Sequence, residues 1–154
     1  MNLLAFDTST DTLSVAVQRG SSVWEHTGPG GAQASHGLLA SIQTLLAQAG
    51  LELGALDALA FGRGPGSFTG LRTACAVAQG LAFGAGGGRG LRVLPIDTLH
   101  AVAEQARHQH GAQQVGIHHL ADIAFGHIGR STANPDPGIG DHAVHRAEAR
   151  LGRV

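Results

Sequence analysis

Polar and apolar positions near the start of the chain alternate in short runs that predict β-strands. Residues 1–6 form an apolar run that passes directly into an acidic and hydroxyl-rich turn, residues 7–10 (DTST). Residues 14–18 then predict the return strand of a hairpin, and residues 22–26 predict a third strand. The chain therefore begins with three strands in succession.

The spacing of apolar residues changes to a helical period after residue 35. From Ser35 to about Ala49, leucine, isoleucine and alanine recur at intervals of three and four residues, and Gly50 is expected to end this helix. The further predicted elements are a strand, a helix, a strand and a helix, at residues 56–61, 68–83, 91–96 and 98–108, the last with Thr98 as its cap. The order βββαβαβα predicts an α/β fold with a mixed sheet and helices on its faces.

A glycine-rich loop, residues 62–72 (GRGPGSFTGLR), joins a predicted strand to a predicted helix. Glycine permits positive φ angles and a close approach of the backbone to another surface. Ser67 is expected to cap the helix, because a serine side chain accepts a hydrogen bond from the first turn. Such a helix start favours an anion or a closely docked partner.

The DTST turn and the glycine-rich loop, in this order, closely resemble the TsaB family, also called YeaZ or Gcp-like proteins. These are non-catalytic partner subunits of the bacterial machinery that makes threonylcarbamoyladenosine in tRNA. The resemblance covers residues 1–113. It implies a ribonuclease H-like lobe of the actin-like ATPase (ASKHA) superfamily. It also implies a TsaD-like catalytic subunit and a TsaE-like ATPase as partners, a possible homodimer, indirect contact with tRNA and no chemistry by this chain itself.

The chain changes character after residue 113. Residues 114–154 contain five of the ten histidines and few sustained apolar patterns. A TsaB-like chain would continue with an apolar strand and an Asp-Ala-Arg turn that opens a second lobe. We interpret residues 114–154 as a frame-shifted tail that replaces the second lobe. A genuine divergent tail is the alternative.

Composition narrows the possible chemistry. All ten basic residues of the 154 are arginine, which excludes a Walker A lysine and a Schiff-base lysine. The formal net charge of −1 provides no overall positive field for a phosphate backbone, so another protein is expected to hold most of any RNA substrate.

The single cysteine and the apolar segments indicate a cytoplasmic protein. Cys75 cannot form an intrachain disulfide, and we expect it to be a small core residue of the second helix. The N-terminus does not have the pattern of a signal peptide, and none is expected. The longest apolar segment, residues 73–83, is too short to span a bilayer, so no membrane association is expected.

Two predicted helices are almost without charge. Residues 36–49 contain no charged residue, and residues 68–84 contain only Arg72. A surface helix normally shows a charged face to water, so we expect cover on more than one side of each helix. In the TsaB family the corresponding helices pair with a second copy or with TsaD, whereas packing within the chain is the alternative. The predicted partner-binding residues are His36, Leu39, Ile42, Gln43, Leu46 and a small-residue ridge at Gly70, Ala74, Ala78 and Ala82.

A second candidate set surrounds the two motifs. The resemblance places Asp7 where actin-like ATPases hold a carboxylate next to nucleotide-bound metal. The interpretation we favour is an Asx-turn, in which the carboxylate accepts an N–H bond from Ser9 or Thr10. The glycine-rich loop does not match the P-loop pattern, so a tight turn and helix cap are favoured over a phosphate cradle. The possible nucleotide- or anion-binding residues are Asp7, Gly64, Gly66, Ser67 and Thr69.

No metal site and no cofactor of its own are expected for this chain. Ala40 stands where a second histidine would complete a metal-binding H-x-x-x-H pair with His36. ATP and Mg²⁺ are expected only at a partner or an interface. The alternatives to a scaffold subunit are an actin-like-fold ATPase or phosphotransferase, and a non-functional truncated product.

Overall fold

The structure is a computed structural model that describes residues 1–85, 90–101 and 103. A five-stranded mixed sheet with strand order β3-β2-β1-β4-β5 carries two long helices. The strands are β1 (Asn2–Asp7), β2 (Thr12–Arg19), β3 (Ser22–Pro29), β4 (Ala58–Gly62) and β5 (Arg92–Ile96), and the helices are α1 (Ala34–Ala49) and α2 (Phe68–Gly84).

Strand pairing confirms the predicted ribonuclease H-like lobe. β1, β2 and β3 pair antiparallel as consecutive hairpins, whereas β4 pairs parallel to β1 and β5 pairs parallel to β4. A parallel pair needs a crossover connection, and α1 and α2 provide the two that this sheet requires. Residues 98–101 and 103 are helical, at the start of the predicted third helix. The rest of that helix and the predicted tail, residues 114–154, lie outside the described residues.

The register of the strands places one apolar face beneath both helices. Leu4 lies opposite Val17 on one side and Leu59 on the other, and Phe6 lies between Val15 and Phe61 in the same way. Directly opposed residues in a sheet project from the same face. The side chains of this face form the main core with the inner faces of α1 and α2.

Helix α1 has the buried stripe that its sequence period predicts. Its buried residues recur every three or four positions and are Ala34, Leu38, Ile42, Leu45, Leu46 and Ala49. Gly50 ends the helix in the left-handed conformation with φ of 62°, as predicted. The Arg19 guanidinium adds a bond at this end, because Nη1 donates to the Ala49 carbonyl oxygen at 2.9 Å.

Helix α2 packs on the sheet through small side chains. Gly70, Ala74 and Ala78 are buried, and their size lets the helix axis lie close to the strands. Ser67 caps the helix as predicted, since its hydroxyl accepts a bond from the Gly70 N–H at 3.4 Å. The same helix places Cys75 at the surface, so the prediction of a core cysteine is wrong. Position 75 is about 100° around the helix from the buried Ala74.

Asp97, not Thr98, caps the helical turn that follows β5. The Asp97 carboxylate accepts a bond from the Leu99 N–H at 3.0 Å, and the Asp97 carbonyl oxygen accepts one from the Ala101 N–H at 3.0 Å. The predicted cap at Thr98 is therefore wrong by one residue. Within the described ranges, none of the helices combines the length and hydrophobicity that a membrane span requires.

Candidate functional site

The DTST turn folds back on itself immediately after β1. The Asp7 carboxylate accepts a hydrogen bond from the Ser9 N–H at a distance of 2.5 Å, which confirms the predicted Asx-turn. Thr8 and Ser9 are both buried. The turn is thus an ordered part of the core and presents its backbone to the neighbouring loop.

The glycine-rich loop docks directly on this turn. The Ser67 N–H donates to the Ser9 carbonyl oxygen at 2.7 Å, and the Thr8 hydroxyl donates to the Gly70 carbonyl oxygen at 2.7 Å. A Cβ atom on Gly66 would lie 2.5 Å from that Ser9 oxygen, and one on Gly70 would collide with the Thr8 carbonyl oxygen. Glycine is required here because the two backbones touch.

The ends of the three parallel strands β1, β4 and β5 lie at this same edge of the sheet. Gly62 lies against the Asp7 carboxylate, with no room for a Cβ atom between them. The Arg63 N–H donates to the Ile96 carbonyl oxygen at 2.8 Å, which ties the loop after β4 to the end of β5. Arg63 and Asp97 also form an ion pair of 3.9 Å at the surface, an interaction that contributes little in water.

The predicted nucleotide- or anion-binding residues do lie together at this edge, and most already have an intramolecular partner. Asp7 caps its own turn, Ser67 caps α2 and Gly66 packs on the DTST turn. Gly64 is buried with φ of 102°, and its carbonyl oxygen accepts a bond from the Thr98 N–H. Thr69 is exposed on the first turn of α2. Binding of a nucleotide or anion by these residues stays a prediction.

The predicted partner-binding residues divide into buried and exposed ones. The structure buries Ile42, Leu46, Gly70, Ala74 and Ala78 inside this chain. These residues are buried within this chain and are not available to another protein, so the prediction that they bind a partner is corrected. Ala82 is half-buried, and its carbonyl oxygen accepts a bond from the Leu91 N–H. His36, Leu39 and Gln43 are exposed.

An exposed and nearly uncharged surface remains on the side of α1 and α2 that faces away from the sheet. We call it the outer helix face. Its residues are Leu39, Gln43, Phe68, Arg72, Cys75, Ala76, Gln79 and Phe83. Phe68 is 69% exposed and Phe83 is 89% exposed, values that are high for aromatic side chains. The Arg72 guanidinium lies 4.0 Å from the centre of the Phe68 ring and is the one charge on this face.

Sequence reasoning missed the two phenylalanines and Cys75 as surface residues. Phe68, Arg72, Cys75, Gln79 and Phe83 follow one another at intervals of three and four, which places them along one side of α2. That spacing was visible in the sequence. It could not show whether this stripe or the stripe of glycine and alanine faces the sheet, because both are apolar and both have the helical period.

The strand order and helix placement define a ribonuclease H-like lobe of the actin-like type, and the docked turn and loop lie at one edge of its sheet. A family model described as "TsaD: tRNA N6-adenosine threonylcarbamoyltransferase" matches residues 27–125. This match covers more than half of the chain, and with the relatives below it shows that the N-terminal portion of the chain belongs to the TsaB (YeaZ) family.

Similar proteins include TsaB and YeaZ proteins of bacteria. The tRNA threonylcarbamoyladenosine biosynthesis protein TsaB of Haemophilus influenzae is 48% identical over 118 residues, which are 75% of this chain and 47% of that protein. The TsaB of Escherichia coli is 38% identical over 115 residues, which are 75% of this chain and 48% of that protein. The solved structure of YeaZ from Pseudomonas aeruginosa is 42% identical with a TM-score of 0.63, over 71% of this chain and 50% of that one. The chain spans about half the length of the curated relatives it matches.

Proposed function

We propose that this chain is a non-catalytic accessory subunit in the biosynthesis of N6-threonylcarbamoyladenosine at position 37 of tRNA. The names of its TsaB relatives support the pathway. The docked turn and loop support the accessory role, because the residues that would cradle a nucleotide are used to hold β1 and α2 together. A cytoplasmic location goes with this function.

The outer helix face is the surface through which the chain would bind a TsaD-type catalytic subunit, and this exposed surface carries the proposal. Three large apolar side chains, Leu39, Phe68 and Phe83, are exposed on it to 46%, 69% and 89%. Their transfer out of water is favourable by about 25 cal/mol per Å² of apolar area, and this gain offsets the entropy lost on association. A face with one charge also loses little hydration when a partner covers it.

Arg72 would fix the orientation of the partner on this surface. Its guanidinium carbon lies over the Phe68 ring, and the side chain is exposed, so a carboxylate of the partner would accept two of its N–H groups. Aromatic and arginine side chains are the residues that most often dominate the free energy of protein–protein binding. Phe68 and Arg72 together would therefore form an anchor at one end of α2.

The same surface would serve a second copy of the chain, so self-pairing and pairing with the TsaD-type subunit would compete. A TsaE-like ATPase would join through the assembled pair. The net charge of −1 supports indirect contact with tRNA, with the nucleic acid held by the partner. ATP and Mg²⁺ would bind at the partner or at the interface.

Capture of a purified TsaD-type subunit by variants of this chain tests the surface. Leu39→Glu and Phe83→Glu place a carboxylate on the outer helix face, and each is expected to weaken binding at least about tenfold, as removal of an interface anchor does. Ser21→Glu is the control, because it adds the same charge at the exposed β2–β3 turn. Unchanged capture of both helix variants would remove the surface from the proposal.

A reconstituted tRNA modification assay tests the non-catalytic role. Asp7→Asn keeps the size of the side chain and removes the charge that a metal-bound nucleotide would need. With the partner saturated, the rate of modification is expected to stay within about twofold, since a change below about 0.4 kcal/mol means no lost transition-state contact. A large fall in rate with unchanged binding, or tight binding of Mg-ATP by this chain alone, would favour the ATPase or phosphotransferase alternative.

A further inference from the structure

Helix α2 carries its exposed residues in an order that is similar when read from either end. Along the outer helix face the side chains follow one another as Phe68, Arg72, Cys75, Ala76, Gln79 and Phe83. The midpoint between Phe68 and Phe83 falls between positions 75 and 76, and so does the midpoint between Arg72 and Gln79. An aromatic ring therefore lies at each end, a long polar side chain one turn further in, and two small residues at the centre.

These residues form one strip along the helix. The four outer ones lie within about 60° of one another around the axis, since each residue advances an α-helix by about 100°. Cys75 and Ala76 lie at the two sides of this strip, and all six residues are exposed. A rise of about 1.5 Å per residue separates the rings of Phe68 and Phe83 by about 22 Å along the axis. The strip thus runs almost the whole length of α2.

A strip with this order is complementary to itself when two copies of α2 lie antiparallel. In a contact with two-fold symmetry, residue i of one copy meets residue j of the other, and j meets i in turn. With the axis between positions 75 and 76, Phe68 meets Phe83 of the second copy, and Arg72 meets Gln79 of the second copy. Each of these contacts occurs twice.

We propose that the outer helix face binds a second copy of this chain with the two α2 helices antiparallel and the two-fold axis between Cys75 and Ala76. At each end of the contact, two phenylalanine rings pack together, an arrangement that is favourable beyond the area it buries. Between them, the amide oxygen of Gln79 accepts an N–H of the Arg72 guanidinium. This pairing rests on the partner surface proposed above and specifies which residues meet across it.

The charge of Arg72 favours the antiparallel over the parallel arrangement. Two parallel helices in register would place the two guanidinium groups opposite each other, and the juxtaposition of like charges is unfavourable. In the antiparallel pair each Arg72 lies opposite Gln79, so the two guanidinium groups are about 10 Å apart along the axis. That distance is close to the screening length of about 8 Å in physiological salt. Each guanidinium also keeps its place 4.0 Å from the centre of its own Phe68 ring.

The size of the outer helix face predicts a weak and reversible pair. Helices α1 and α2 have 16 and 17 residues, so two adjacent helices give a face about 25 Å long and about 20 Å wide. Its area of about 500 Å² per copy is smaller than the roughly 800 Å² that each partner buries in a stable complex. A pair of this size separates readily, which is compatible with a surface that also binds a TsaD-type subunit.

The native cysteine reports the position of the axis. Cys75 is the one cysteine among the 154 residues, and it lies next to the proposed axis, so its thiol is close to the thiol of the second copy. A short bismaleimide is expected to join two copies of the full wild-type chain through Cys75. Cys75→Ala is expected to lose this crosslinked dimer.

Two displaced cysteines distinguish the antiparallel from the parallel arrangement. Phe68→Cys and Phe83→Cys are each made in the Cys75→Ala chain, one of them with a tag that changes its mass. In the mixture the new thiols lie opposite each other and one Phe68–Phe83 contact remains, whereas in either variant alone the thiols are about 22 Å apart. The same reagent is therefore expected to give about tenfold more crosslinked dimer in the mixture than in either variant alone.

A matched control measures crosslinking by random collision. Ser21→Cys, also made in the Cys75→Ala chain, places a thiol at the exposed β2–β3 turn, away from the outer helix face. It is expected to give no more crosslinked dimer than the Cys75→Ala chain alone. Circular dichroism checks the fold of every variant, and both replaced rings are exposed in the structure.

Three results would overturn this pairing. The first is as much crosslinked dimer in Phe68→Cys alone as in the mixture, which would indicate parallel helices. The second is a yield through Cys75 no higher than that of the Ser21→Cys control. The third is a wild-type chain that sediments as a monomer at every concentration used for crosslinking. Capture of a TsaD-type subunit by Leu39→Glu and Phe83→Glu is measured separately, so failure of the self-pairing is distinguishable from failure of the proposed partner surface.

Discussion

The hydroxyl of Thr8 donates a 2.7 Å hydrogen bond to the carbonyl oxygen of Gly70, across 62 residues of sequence. Thr8 is fully buried, and Gly70 lies in the first turn of α2. The bond joins the turn after β1 to the start of α2, so the two motifs that identify the family form one structural unit.

Removal of the Thr8 hydroxyl tests the value of this bond. Thr8→Val keeps the branched shape of the side chain and loses the donor, so the free energy of unfolding is expected to fall by about 0.5–1.5 kcal/mol. Thr44→Val removes a comparable 2.9 Å bond to the Ala40 carbonyl oxygen on the exposed side of α1 and is expected to change stability by less than about 0.5 kcal/mol. Urea denaturation followed by circular dichroism gives both values, and equal losses would contradict a special role for Thr8.

Two glycines of α2 are expected to respond in opposite directions to the same substitution. Gly70→Ala drives a methyl group into the Thr8 carbonyl oxygen, and the forced separation of turn and helix is expected to cost about 1–3 kcal/mol. Gly80→Ala meets no atom within 4 Å and is expected to stabilise the helix by about 0.5–1 kcal/mol. Thermal unfolding of the two variants measures the difference. A lower unfolding temperature for Gly80→Ala, or an unchanged one for Gly70→Ala, would contradict the contacts described at these two positions.

A carboxylate on α2 tests which side of the helix faces the sheet. Ala78 is 1% exposed, so Ala78→Glu buries a charge without a partner and is expected to cost about 3 kcal/mol or more. Ala76 is exposed, and Ala76→Glu is expected to leave the unfolding free energy within about 0.5 kcal/mol. The measurement is chemical denaturation of both variants. A reversed order of stability would mean that the small-residue ridge is exposed and that the outer helix face is the buried side of α2.

Arg19 is expected to stabilise the C-terminal end of α1. Arg19→Met keeps the apolar stem and removes the 2.9 Å bond to the Ala49 carbonyl oxygen, which is expected to cost about 1 kcal/mol. Arg92→Met is the control, because Arg92 is exposed at the start of an edge strand. Amide hydrogen exchange of residues 46–50 locates the effect. Loss of protection elsewhere but not at this helix end would contradict the assignment.

Most of the secondary structure could be predicted because local spacing reports which side chains share a face. The period of three and four in α1, the glycine at its end and the serine at the start of α2 each have a local physical cause, and each was found where predicted. The Asx-turn at Asp7 is equally local, since donor and acceptor are two residues apart. Thr98 failed as a cap because Asp97, one residue earlier, has an acceptor of suitable reach.

The candidate surface was harder to predict, for a reason that the small-residue ridge makes clear. Gly70, Ala74 and Ala78 share one side of α2, and this much follows from their spacing. Small residues permit a close approach equally well to a partner helix or to the chain's own strands. In the structure the small residues of α2 contact the sheet, and Phe68 and Phe83 are therefore exposed on the opposite side of the helix.

The order of residues alone thus determined the succession of strands and helices, the end of α1 at Gly50, the cap of α2 at Ser67 and the Asx-turn at Asp7, since each depends on neighbours a few positions away. Only the tertiary structure decided which helical stripe is buried and which aromatic rings are exposed. Those outcomes depend on contacts between elements far apart in the chain, where many arrangements satisfy the same local pattern and the packed core selects one.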